Sequence, residues 1–110
     1  KAAQKPMIIV GAGALARQDG GAILRAVGNG RTWVKISAGF RLAAEVRAAC
    51  AARLLAEAGP ERLLWGSDAP FVGKEGEVSY AQTLETYRAL VPDAAVRRKI
   101  SDAGVKLFFG

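Results

Sequence analysis

Few side chains in this chain are able to do chemistry, and one type is missing altogether. No histidine occurs among the 110 residues, which removes the commonest metal ligand and the commonest general base at neutral pH. Cys50 is the single cysteine, so neither an intrachain disulfide nor a cysteine cluster for zinc or iron–sulfur can form. Gly11, Gly13 and Ala16 follow an apolar run with the spacing G-x-G-x-x-A of a dinucleotide-binding turn. The rest of that pattern is unmet. Gly20-Gly21 interrupts the helix that should follow, and the next strand ends in Ile36-Ser37 with no acid to hold a ribose. A tight strand-to-helix turn accounts for these glycines, with weak phosphate binding at the following helix N-terminus as the alternative, and no cofactor is expected. Asp68, in Ser67-Asp68-Ala69-Pro70, suits the amides of a turn or helix cap. Alone it falls short of the about three protein ligands that a catalytic metal requires, so no metal is expected. Arg41, after Gly39-Phe40, reads as a surface arginine flanking a helix, and Lys35 as a strand residue on a solvent face or edge. Cys50 reads as a small buried apolar residue, and Trp33 and Trp65 read as core.

These residues must be positioned by alternating strands and helices. Met7–Val10 is a continuous apolar run, the pattern of a strand buried on both faces. Asp19 can cap a short helix through Val27, and residues 33–37 read as a second strand. Leu42, Val46, Cys50 and Leu54 recur every four residues in a helix that ends at Gly59-Pro60. Leu63-Leu64-Trp65 is a third strand. Ser79 then caps a helix carrying Tyr80, Leu84, Tyr87 and Leu90, and Asp93 caps another carrying Val96, Ile100, Ala103 and Leu107. The order β-α-β-α-β-α-α predicts a single α/β domain over residues 1–110 with a three-stranded parallel sheet. Three parallel strands leave two open edges, so the chain reads as a piece of a larger α/β fold or a unit that pairs with a copy. It opens on Lys1 rather than Met, which suggests processing, cloning or a fragment.

Hydrophobic residues make up 51% and charged residues 24%, a globular balance that argues against disorder. The net charge of +6 lies in residues 1–62, where ten Lys and Arg face four Asp and Glu; residues 63–110 hold six of each. The one tight basic cluster is Arg97-Arg98-Lys99, and no aromatic residues interleave with basic ones as a single-strand binder requires. Nucleic acid is therefore not an expected partner. No apolar run approaches the roughly 20 residues of a membrane helix and no signal segment opens the chain, so a soluble, cytoplasmic protein is expected.

Two resemblances add to this reading. Residues 30–42, with Trp33-Val34-Lys35-Ile36-Ser37-Ala38-Gly39-Phe40-Arg41, and the signature Arg62-Leu63-Leu64-Trp65-Gly66-Ser67-Asp68-Ala69-Pro70 resemble the amidohydrolase-2 group of TIM-barrel hydrolases, which includes lactonases acting on pyrone dicarboxylates. The tail from Val91-Pro92-Asp93 to Leu107-Phe108 is similar to that group's C-terminal helix. The resemblance covers residues 29–110, about the last third of the barrel. It implies that Asp68 sits at the C-terminal mouth as the carboxylate that activates water or holds a metal, and that Arg41 pairs with a substrate carboxylate. The first stretch, Lys5-Pro6 through Val10-Gly11-Ala12-Gly13 to Arg17, resembles a Rossmann-like segment of the large iron–sulfur subunit of bacterial NADH–quinone oxidoreductase, in its molybdopterin-oxidoreductase-like region.

Together the two resemblances suggest an engineered or recombined chimera, a partial TIM-barrel and Rossmann-like hybrid joined near residues 24–30. Because the histidine ligands of the hydrolase parent are absent, the expectation is a protein without evolved catalysis, whose property is folding and self-association. A residual lactone or ester hydrolase using Asp68 and Arg41 is one alternative, and anion or nucleotide-phosphate binding at Gly11–Ala16 the other. Val105, Leu107, Phe108 and Phe109 crowd the last turn beyond what one helix stripe buries, so a homodimer or higher homo-oligomer is expected.

Overall fold

The computed structural model describes residues 20–28 and 32–110; the expected strand Met7–Val10, the turn Gly11–Gly13–Ala16 and the cap Asp19 lie outside them. Helix α1 (Gly20–Gly28) leads to strand β1 (Val34–Ile36), a 3-10 turn at Gly39–Arg41 and helix α2 (Ala44–Ala58). A second 3-10 turn, Pro60–Arg62, precedes strand β2 (Leu63–Trp65), and a long loop leads to helices α3 (Tyr80–Leu90) and α4 (Ala94–Phe109). Among the described residues the sheet has the two later of the three expected strands, and they run parallel with Val34 opposite Leu63 and Ile36 opposite Trp65. The α/β class and the parallel pairing hold. The second strand is shorter than residues 33–37 at both ends.

Parallel register puts Val34, Ile36, Leu63 and Trp65 on one face of the pair. That face meets Leu54 of α2, Tyr87 of α3, Val91 just after α3, and Ile100 of α4 to form the core. Leu64, on the other face, is buried near Gly104 of α4. Helix α4 packs along β2 and the Pro60–Arg62 turn, and α1 packs on α2. The buried Thr32 hydroxyl donates to the Ala26 carbonyl at 3.0 Å, tying the start of β1 to α1 and satisfying a polar group that would otherwise cost free energy.

Local sequence fixes the helix ends. The Ser79 hydroxyl accepts from the Gln82 amide and the Gln82 side chain accepts from the Ser79 amide, a reciprocal capping box. Asp93 accepts from the amides of Ala95 and Val96 at the start of α4. Within α2 the expected four-residue stripe is displaced: Val46 is exposed and Leu42 precedes the helix, whereas Ala51 and Leu54 are buried. Cys50 is half-buried rather than a core residue. The end of α4 leaves Val105, Phe108 and Phe109 exposed, as the crowding of apolar residues there implied. No helix among the described residues is long and apolar enough to cross a membrane.

Helix α2 stops at Gly59, whose φ of 72° and ψ of 158° lie in a region essentially restricted to glycine. Replacing it with alanine should cost about 1–3 kcal/mol, measured by urea unfolding with an unchanged m-value. Leu54→Ala, which empties a fully buried position of the core, should cost about 2–5 kcal/mol in the same assay.

Candidate functional site

Because β1 and β2 are parallel and paired in register, their C-terminal ends emerge side by side, and the two following loops converge. Residues 37–43 follow β1 and residues 66–79 follow β2. Each loop carries one non-glycine residue with positive φ, Ala38 at 53° and Asp68 at 68°, a conformation uncommon outside glycine that turns the chain sharply at the strand ends. At Gly66 the side chain of Lys35 crosses the backbone so closely that a Cβ would lie 2.5 Å from Lys35 Cε. Lys35 is thus half-buried over the strand end rather than on an open solvent face.

Asp68 and Arg41 meet across the two loops. Arg41 Nε lies 3.9 Å from Asp68 Oδ2, with the side chains 47% and 34% exposed. An ion pair so exposed and so long contributes little to stability. Arg41 is nevertheless held in place. Its Nη2 donates to the Val72 carbonyl at 2.8 Å, and its guanidinium lies 5.1 Å from the centre of the Phe40 ring. Phe40 in turn meets Phe71 edge to face at 5.7 Å, joining the two loops through their aromatic side chains. The turn amide expected to bind Asp68 goes elsewhere, since Ala69 N donates to the Ser67 hydroxyl at 3.3 Å. Among the described residues the Asp68 carboxylate is paired with Arg41 alone. Sequence-based reasoning singled out both residues but not Phe40, Phe71 or the Val72 carbonyl that anchor them; a contact spanning 31 residues between loops has no local signal.

Beside this pair lies a cavity of about 210 Å³ between the strand ends, α2 and α3, walled by Ile36, Cys50, Leu54, Trp65, Thr86 and Tyr87 among others. Neither Asp68 nor Arg41 lines it. Trp65 is half-buried here, stacked on Tyr87 with ring centres 5.0 Å apart and an angle of 24°, and edge-on to Tyr80. The Tyr87 hydroxyl is buried without a hydrogen-bond partner among the described residues. Among the described residues no three His, Cys, Asp or Glu side chains converge, so these residues by themselves do not fit a metal ion.

A parallel strand pair with polar residues on the loops at its C-terminal end is an arrangement that α/β barrels use. Solved structures agree. A protein assigned as a 2-pyrone-4,6-dicarboxylic acid hydrolase from Pseudomonas putida is 31% identical, with a TM-score of 0.71 over 84% of this chain and 39% of its own. A second protein given the same assignment, from Acinetobacter baumannii with citric acid bound, is 19% identical with a TM-score of 0.79 over 93% of this chain and 42% of its own. An amidohydrolase from Burkholderia multivorans with bound zinc is 21% identical with a TM-score of 0.70, over 89% of this chain and 42% of its own; these last two likenesses are of fold. No curated protein matches. The amidohydrolase family model matches residues 10–101, and the chain belongs to that family.

Three expectations are thereby corrected. The family match runs from residue 10 through the residues 24–30 where a join was expected, and nothing supports an oxidoreductase segment in residues 1–27 or an engineered chimera. The reading of a protein without catalytic function is overturned by the family match and by hydrolase neighbours, which support the hydrolase alternative instead. The reading that this is no enzyme rested on absent histidines. The chain spans about two-fifths of the length of the solved structures, so its composition does not describe a whole barrel of that kind. The fold is that of an enzyme family.

Burial raises the Tyr87 hydroxyl above its ordinary pKa of 10.0, and the charge of Arg97 only partly offsets this. A raised phenol pKa in the folded state means that the unfolded chain releases the proton first as pH rises. The contribution is therefore complete below about pH 10 and is lost as pH climbs through the folded value. Unfolding free energy should fall above pH 10 more steeply in wild type than in Tyr87→Phe, as followed by urea titration at successive pH values.

Proposed function

We propose that this chain forms part of the active-site mouth of a hydrolase acting on a small carboxylated lactone or ester of the 2-pyrone-dicarboxylate kind. The observation that carries this reading is the approach of Arg41 to Asp68 across the C-terminal ends of two adjacent parallel strands. The likeness to the hydrolase assigned in Pseudomonas putida, at 31% identity, supports the substrate class. Asp68 acts as general base. Its carboxylate accepts a proton from water while the water oxygen attacks the ester carbonyl carbon. The carbonyl re-forms as the ring C–O bond breaks, and the departing oxygen takes up a proton, leaving a ring-opened acid. Arg41 holds a carboxylate of the substrate. Its guanidinium is planar and always charged, and it is already fixed by the Val72 carbonyl and the Phe40 ring, so little further ordering is needed on binding.

Steady-state kinetics of the purified whole protein on a pyrone dicarboxylate and on its dimethyl ester test this assignment. Asp68→Asn should lower kcat by about 10²–10⁴-fold with little change in KM. Arg41→Met should raise KM by about tenfold on the free carboxylate and hardly at all on the ester, because only the former presents an anion to the guanidinium. An Asp68→Asn protein with wild-type kcat would show that the base lies elsewhere.

A further inference from the structure

The basic cluster Arg97-Arg98-Lys99 takes no part in the site above, and it lies on a second concave surface. A cleft of about 460 Å³ runs between α3 and α4, lined by Leu84, Tyr87 and Arg88 from α3 and by Ala94, Arg97, Arg98, Ser101 and Asp102 from α4. We propose that this cleft is a binding site for a phosphate group, carried by a small phosphorylated molecule.

Three guanidinium groups and one carboxylate leave the cleft with two net positive charges, which match a phosphate dianion. Among the described residues no carboxylate lies within ion-pair distance of Arg88, Arg97 or Arg98; the ion pair of this helix uses Lys99, with Glu61 at 3.7 Å. Arg97 is pre-positioned. Its Nη1 donates to the carbonyls of Val91 at 2.6 Å and Pro92 at 2.7 Å, which fixes the guanidinium plane and leaves its other N–H groups uncommitted in those bonds. Guanidinium is the side chain best suited to phosphate, because its donors meet two oxygens at once.

The second observation is independent of charge. Tyr87 is only 6% exposed, its hydroxyl has no hydrogen-bond partner among the described residues, and the residue lines this cleft. A buried unpaired hydroxyl costs about 1–3 kcal/mol and is seldom kept in a core where phenylalanine would serve. The hydroxyl lies near enough to Arg97 to feel its charge. The hydroxyl is shut off from solvent, so a phosphate oxygen held by Arg97 reaches it only through a small shift of the ring, and bound there it would supply the acceptor that no described residue does.

The test is a titration of the purified protein with inorganic phosphate, followed by tryptophan fluorescence, since Trp65 stacks on Tyr87, and by thermal unfolding. Sodium chloride at matched ionic strength, malonate and a short DNA duplex are the comparison arms. Phosphate should give a saturable response with a dissociation constant below about 1 mM, corresponding to roughly 4 kcal/mol of binding free energy. Arg88→Gln with Arg98→Gln, both exposed positions, should weaken it by at least about tenfold while leaving unfolding in chloride unchanged. Tyr87→Phe should be as stable as wild type or more so in chloride, yet bind phosphate several-fold more weakly, a combination that a purely structural hydroxyl would not produce. The proposal is overturned if chloride or malonate reproduces the phosphate response, if the double arginine variant binds phosphate as well as wild type, or if the duplex binds while phosphate does not.

Discussion

The site depends on the parallel, in-register pairing of two strands of three residues each, Val34–Ile36 and Leu63–Trp65. Backbone pairing of this kind aims both chains the same way, so the residues that follow each strand arrive at one edge of the sheet. Arg41 and Asp68, far apart in the chain, meet there for that reason. So short a ladder has few hydrogen bonds of its own. It persists because Val34, Ile36, Leu63 and Trp65 all face one way and bury themselves against three helices. Removing that apolar face would separate the loops before any residue in them changed.

The helical layer does two things at once. It closes the core through Leu54, Tyr87, Val91 and Ile100, and it shapes two concavities that the strands alone could not form. Tyr87 stands in the wall of both, stacked against Trp65 of the sheet. Its place shows how a core residue with a polar tip differs from an apolar one: the ring contributes packing while the hydroxyl requires a partner. The loops at the strand ends are organised differently. There the contacts are between Phe40 and Phe71 and between Arg41 and Val72, with modest burial, which suits a surface that must admit a ligand.

Much of the fold was legible along the chain because its signals are local. Ser79 with Gln82, and Asp93 before Ala95 and Val96, cap their helices through side chains two or three residues away, and the structure forms those bonds. Leu63-Leu64-Trp65 between Pro60 and Gly66 could only be a short buried strand. The stripe of α2 was harder to read. Its alanine-rich sequence offers little contrast between faces, so Val46 and Ala51 exchange the places that hydrophobicity alone would give them. The absence of histidine is a property of these 110 residues and does not extend to an amidohydrolase barrel more than twice as long.

By itself, the sequence determined the helix caps, the apolar strands and the α/β order, each set by residues within a turn or two of one another. It also carried the residues of the Trp65-Gly66-Ser67-Asp68 segment, whose resemblance to the amidohydrolases the family match bears out. Which residues touch was decided only in three dimensions. The Arg41 guanidinium reaches Asp68 and Val72, the Tyr87 hydroxyl is enclosed without a partner among the described residues, and Arg88 lines the same cleft as Arg97 and Arg98. Each of these depends on how whole elements pack. Packing is governed by the sum of many weak apolar contacts, and no short stretch of sequence contains that sum.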